Sequence, residues 1–467
     1  MAQASPDRKA AVPLKEEQGK AFQHFFLPAA SSTLPTIAGG EGVYLWDDTG
    51  RCYLDVTSGP VVSNLGHGNE RVLAAMAKQA RQATFAWPLA FESKSNRALA
   101  AAVTRAAGPG LERAFFVSGG SEAIEGAIKF ARQYAVARGE ELRAKVISRH
   151  PSYHGGTLGA LAVSGDVAMD RLFGPLARLM PKVPAPLSYR FPSGFDRESY
   201  ALSAAEALEE EILAQGPETV LAFILEPVGG LSTGALVAPE GYYRKVREIC
   251  DRYGVLLIYD EVMSGAGRTG AFLAAHHWPD ARPDLVVLAK GIGAGYTPLG
   301  IFLAPEDFVE TLVCSGGFQH GHTYNANPLT CAVGLAVLQE VEERGLIENA
   351  KVMGELLAEQ LGQVMAASPI VGDLRGKGLL LALEIVADKA SKAMLPADCN
   401  ALPRIVAIAR EEGLLLYTRR TNEGRFGEWL MIAPPLIVSA EEVGVICEGL
   451  GRVLARYCDE LSGAGLL

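Results

Sequence analysis

Residues Val255–Gly270 read VLLIYDEVMSGAGRTG, and residues Pro283–Gly300 read PDLVVLAKGIGAGYTPLG. Each holds a short apolar run, Val255–Tyr259 and Leu285–Ala289, and each run ends in a charge, Asp260 and Lys290. Runs of this length bounded by turn residues suit strands buried on both faces, as in a parallel sheet. In such sheets ligands sit beyond the carboxyl ends of the strands. A lone acid and a lone amine are therefore expected together on the floor of one crevice. Strand alternation turns the next acid, Glu261, the other way.

Working outward, further short apolar strands are expected at Arg113–Val117, at KVISRH from Lys145, and at LAFILEP, which closes on Glu226. Helical spacing follows Ser118–Ser121 through Ile124, Ile128, Ala131 and Tyr134, and again over 239–253 and from Thr330. Strands alternating with helices argue for an α/β fold with a parallel sheet. The stretch GVYLWDDTGRCYLDV from Gly42 reads as a hairpin, and Asn69 or Glu70 opens a helix. Another helix is expected near Ser93 to Ala107, and one at about 202–215. The Pro-rich stretch 165–200 lacks a clear period and reads mostly as loop. Beyond about residue 345 the pattern becomes a smaller α+β unit: helices over 347–366, 402–412 and 440–461, with strands at GDLRGKG, LLLALEIV, LLLYT and WLMIAPP.

The chain has 467 residues, 49% hydrophobic and 21% charged, enough for a large core in two or three domains. Its net charge of −10, with no concentrated basic run, argues against a nucleic-acid surface. The seven cysteines are scattered without CxxC spacing, which fits a reduced, cytoplasmic setting. The polar opening MAQASPDRKAAVPLKEEQGK has no apolar h-region, so no secretory signal is expected, and residues 1 to about 20 read as a mobile or subunit-wrapping arm. No run is long and apolar enough to span a bilayer.

Ser118-Gly119-Gly120-Ser121 lies between a strand and a helix, where exposed backbone N–H groups and the helix N-terminus favour a phosphate. The pairing of Asp260 with Lys290 suits pyridoxal 5'-phosphate: an amine for the imine and an acid to keep the ring nitrogen protonated. GIGAG after Lys290 lacks the third glycine of a dinucleotide fingerprint and meets Pro298 before a helix. His320 and His322 have no third ligand in sequence, so no metal is expected.

Glu226-Pro227, Tyr259-Asp260-Glu261-Val262, GAGRTG, Lys290-Gly291 and HTYNANP, in that order, resemble a class III (omega-type) aminotransferase, from about Gly42 to the last helix. The resemblance implies pyridoxal-phosphate fold type I: a large domain with a mostly parallel seven-stranded sheet plus a smaller α+β domain. The division expected is 1–75 with the small domain, 76–345 large, and 346–467 small. It implies Lys290 as the Schiff-base and proton-carrying residue and Asp260 as the partner of the ring nitrogen. It further implies Gly120 and Ser121 at the phosphate, Tyr153 of SYHGGT stacked on the ring, Val262 on the other face, and Glu226 near the phenolic oxygen. Thr323 resembles the threonine that reaches the partner subunit's cofactor, so a homodimer or tetramer is implied.

The family often holds a substrate carboxylate with an arginine before the APP turn, Ala433-Pro434-Pro435 here. Arg419, Arg420 and Arg425 are all candidates, because TRRTNEGRFGE is longer than the family pattern. Ser58–Val62 carries small side chains where related amine transaminases have a bulky aromatic, which suggests a roomier pocket walled by Phe85 and Trp87. The resemblance implies ping-pong transfer of an amino group from an amine or amino acid to an oxo-acid or aldehyde, pyruvate first among acceptors. An aminomutase of the glutamate-1-semialdehyde type and a non-catalytic cofactor-binding protein are the rivals.

Overall fold

In the computed structural model, which describes residues 34–467, the runs ending at Asp260 and Lys290 are neighbouring strands. The arm read from residues 1 to about 20 lies outside the described residues. In chain order the strands are β1 (Ile37–Glu41), β2 (Tyr44–Asp47), β3 (Cys52–Asp55), β4 (Arg113–Val117), β5 (Lys145–His150), β6 (Lys182–Pro184), β7 (Val220–Leu225) and β8 (Leu256–Asp260). They continue with β9 (Leu285–Leu288), β10 (Gly300–Ala304), β11 (Val371–Lys377), β12 (Leu380–Ile385), β13 (Leu414–Leu415), β14 (Tyr417–Arg420) and β15 (Glu428–Ile432).

The central sheet has seven strands in the order β4-β10-β9-β8-β7-β5-β6. Strand β10 runs antiparallel to both of its neighbours, and the pairings from β9 through β6 are all parallel. Every residue of β7 and β9 is buried, as a sheet covered on both faces requires. Alternation along the strands divides their side chains between two cores. Val146, Ala222, Ile224 and Ile258 meet Ile124, Ala127 and Ala131 of the helix Gly120–Ala137. Ile147, Phe223, Leu257 and Tyr259 meet Tyr242, Val246 and Ile249 of the helix Glu240–Tyr253. Asp260 follows Ile258 in this alternation and so belongs to the Gly120 side.

Two four-stranded sheets complete the described residues, β1-β2-β3-β13 and β11-β12-β15-β14. In the first, β13 pairs in parallel with β3, so Leu414 lies beside Leu54. The second packs with helices Leu346–Ala367 and Ala401–Glu411, and the latter two helices of this region, Ala401–Glu411 and Ala440–Gly463, contact each other.

One expectation is refined and one corrected. The stretch 165–200 is mostly loop but not loop throughout: it also forms the helix Val167–Phe173, strand β6, and the start of a helix that runs Arg197–Gln215. Caps explain both helices. The Asp166 side chain accepts from Ala168 and Met169 N–H, and Asp196 forms a capping box with Ser199. LLLYT is not one strand either, because β13 and β14 separate at Leu416 and join different sheets.

Candidate active site

Beyond the carboxyl ends of β5, β7, β8 and β9 lies a cavity of about 580 Å³ floored by Glu226, Asp260 and Lys290. Asp260, the last residue of β8, is 5% exposed. Its Oδ1 accepts from Val262 N–H at 3.0 Å, and its Oδ2 accepts from His154 Nδ1–H at 2.8 Å. Both carboxylate oxygens are thus fixed by hydrogen-bond donors. Glu261 points away: its Oε2 and Oε1 accept from Ala274 and Ala275 N–H at 2.6 and 2.8 Å, and burial pushes its carboxyl up to about 7.

Lys290 follows β9 with a left-handed backbone, φ 48°. That conformation is uncommon for a residue with a Cβ, and it aims the side chain back across the strand ends. Its Nζ donates to Pro60 O at 2.8 Å. Loss of water around the amine lowers its pKa to about 8, against the opposing pull of Asp260 and Glu226. Glu226 is 6% exposed; its Oε1 accepts from Gly230 N–H at 3.2 Å, its Oε2 has no hydrogen-bond partner, and burial raises its pKa.

The helix Gly120–Ala137 starts at the cavity with no side-chain cap from Gly119. A Cβ on Gly120 would lie 3.2 Å from both Val262 methyl carbons, a tight contact that Val262 would have to relieve. Ser121 Oγ accepts from Gly156 N–H at 3.0 Å, which joins this helix start to the SYHGGT segment. Tyr153 also lines the cavity.

Of the three candidate arginines, Arg419 lines the cavity. Along β14, Tyr417 and Arg419 share a face and both reach it, while Arg420 faces away and pairs with Glu428 at 3.0 Å. Arg425 is exposed, its guanidinium 5.5 Å from the Phe426 ring centroid. Arg419 pairs with Asp166, which also lines the cavity. Phe85 and Trp87 do not line this cavity: both are exposed, and Phe85 meets Tyr324 edge-on at 5.9 Å in an adjoining hollow. Thr323 is exposed and does not line the cavity of its own chain. In the Ser58–Val62 loop, Val62 reaches the cavity, whereas Ser58 Oγ turns inward to donate to Ala433 O at 2.7 Å. His320 and His322 stand with ring centroids 4.8 Å apart, and no cluster of three metal-ligating side chains occurs among the described residues.

Several residues of the site went unread in the sequence, His154, Asp166 and Ser232 among them. His154 sits beside Tyr153 in the same motif, a signal that was present. Asp166 and Ser232 lie in stretches with no motif, and only the fold brings them to the cavity.

A crevice at the ends of parallel strands, with an acid and an amine on its floor, defines a pyridoxal-phosphate protein of fold type I. The chain belongs to the class III aminotransferases: the family pattern "Aminotransferase class-III" matches residues 28–454. It is 38% identical over 418 residues to the uncharacterized aminotransferase YodT of Bacillus subtilis, covering 89% of this chain and 94% of that one. It is 35% identical to the taurine–pyruvate aminotransferase of Rhodobacter capsulatus, covering 89% and 90%. Among solved structures, the omega transaminase of Pseudomonas jessenii in complex with PMP superposes with a TM-score of 0.88 at 32% identity, covering 94% of this chain and 98% of that one.

Class III aminotransferases use pyridoxal phosphate, and the cavity fits it. Glu226 Oε2, 3.7 Å from Arg149 Nη2, and His154 Nε2 are buried polar atoms without a hydrogen-bond partner, the helix start at Gly120 offers free N–H donors, and a desolvated amine faces a buried carboxylate.

Proposed function

We propose that this protein is a transaminase that moves an amino group from an amine or amino acid to an oxo-acid or aldehyde in ping-pong half-reactions. The observation that carries the reading is the Lys290 amine, lowered to about 8 at the floor of the cavity beside buried Asp260. Pyridoxal phosphate, when bound, supplies the electron sink for deprotonation of the donor carbon. Gly120 and Ser121 would hold its phosphate, Tyr153 and Val262 its ring faces, Glu226 its phenolic side, and Asp260 its ring nitrogen.

Lys290 would hold the cofactor through Nζ, and its amine would carry the proton removed from the donor carbon. A pKa near 8 keeps a substantial neutral fraction at physiological pH, and a general base works best there. Asp260 is held in place by donors on both oxygens, so its carboxylate is oriented toward a cation placed against it. Arg419 orients a substrate carboxylate. A homodimer in which Thr323 reaches the partner subunit's cofactor is supported by the exposure of Thr323 outside its own cavity. Pyruvate is the acceptor to test first, as the name of the Rhodobacter relative suggests. A cytoplasmic setting is supported by the free cysteines among the described residues.

Borohydride trapping of the reconstituted yellow protein, followed by peptide mapping, should find the label on Lys290; a label elsewhere or nowhere rejects the assignment. A panel of isopropylamine, β-alanine, taurine, alanine and ornithine then separates the readings. Spectral conversion by any donor supports transamination, silence with all five supports a binding protein, and product without a second substrate supports a mutase.

A further inference from the structure

We propose that Asp166 determines specificity: it is the resting partner of Arg419, and a substrate carboxylate enters by taking the arginine from it. The inference rests on the transaminase reading above.

The two oxygens of Asp166 have separate jobs. Oδ1 accepts from Ala168 and Met169 N–H at 3.1 and 3.3 Å and so caps the helix Val167–Phe173. Oδ2 accepts from Arg419 Nη2. The acid is only 3% exposed, and backbone pairing tethers the residue before it. Gly165 exchanges backbone hydrogen bonds with Ser152 at 3.1 and 3.3 Å, and its α-hydrogen faces Arg149 O so closely that a Cβ would lie 2.3 Å away. Arg419 is the mobile member of the pair. Its side chain is 26% exposed and sits on four-residue β14, at the edge of its sheet.

The exchange has a direction. When Arg419 turns to a substrate carboxylate, Asp166 Oδ2 is left buried with its charge uncompensated, which opposes the move. A carboxylate-free amine leaves the pair intact and meets a wall of no net charge. The same cavity therefore takes both kinds of substrate, but it handicaps those that need the arginine. Ser232 adds a polar contact on this side: its buried hydroxyl lines the cavity without a partner, and its carbonyl accepts from Thr421 Oγ1 at 3.1 Å just past β14.

The test uses Asp166→Asn, which keeps a side-chain oxygen for the helix cap and removes the charge. Unreactive 3-phenylpropionate is titrated by calorimetry into the cofactor-loaded wild-type and variant enzymes. The variant is expected to bind it on the order of tenfold tighter, the size of one charge-assisted hydrogen bond released to the ligand. The double variant Asp166→Asn/Arg419→Met is expected to lose that gain. Unchanged or weaker binding in Asp166→Asn overturns the proposal, as does a gain that survives in the double variant. Bleaching of the yellow form by isopropylamine, β-alanine, taurine, alanine or ornithine, recorded on the same samples, reports the parent reading separately. If bleaching by any donor persists without any gain in carboxylate affinity, the latch alone has failed; if no sample bleaches with any of the five, the transaminase reading has failed.

Discussion

His154 Nδ1 lies 2.8 Å from Asp260 Oδ2, with the histidine side chain fully buried and the carboxylate nearly so. The histidine extends the site one residue deeper than the acid itself. It fixes where the charge of Asp260 points, and its own backbone N–H is anchored on Ser164 Oγ at 2.8 Å.

Replacing His154 by Phe keeps the bulk and removes this donor. The expected result is a fall in kcat of about 10- to 100-fold, the rate equivalent of one charge-assisted hydrogen bond, with Lys290 still labelled by borohydride. Steady-state kinetics with and without trapping check it. Loss of labelling together with activity would mean that the histidine serves folding or cofactor retention instead.

The amine of Lys290 titrates near 8 because burial penalises its charge. The lysine is therefore protonated below that pH and neutral above it. In cofactor-free protein, reductive methylation of Lys290 should rise with pH to half its maximum at about 8. Surface lysines should follow at about 10.4. Site-resolved mass spectrometry across pH 6 to 11 (a window of about that width suffices) measures both at once.

Arg268 of the GAGRTG motif does not touch the cavity; it is fully buried and ties distant segments together. It donates to Asn64 Oδ1 at 2.6 Å, to Ser58 Oγ and Leu379 O at 3.2 Å, and to Pro434 O. Arg268→Met strands those acceptors and should destabilise the fold by about 3–5 kcal/mol. Urea unfolding measures the loss.

Gly165→Ala should also be costly, by about 3 kcal/mol, since the added methyl collides with backbone and not with a yielding side chain. Thermal unfolding checks it. Gly139→Ala is the comparison: the added carbon meets open space there, and only the positive φ of 79° opposes it.

The floor of the site was legible because buried parallel strands write themselves as uninterrupted apolar runs, and the first charge after each run must surface at the strand end. That reasoning located Asp260, Lys290 and Glu226 without any side-chain geometry. The walls were not legible in the same way. The helix Val167–Phe173 buries none of its residues, so it has no apolar face to betray it, and Asp166 reached the cavity unannounced. The choice among Arg419, Arg420 and Arg425 depended on where β14 begins, and a one-residue error in that start exchanges Arg419 for Arg420. Phe85 and Trp87 lie exposed outside the cavity of their own chain, a placement that residue chemistry alone does not reveal.

Lys290 rests on the carbonyl of Pro60, a neutral acceptor. A lysine docked on a carboxylate would have to be prised from its counter-charge before each attack, and the acid left behind would compete for the proton. In the proposed role this one would give up a hydrogen bond to an uncharged oxygen, and that oxygen cannot be protonated at any pH the protein survives. The amine is held in reserve without being held back.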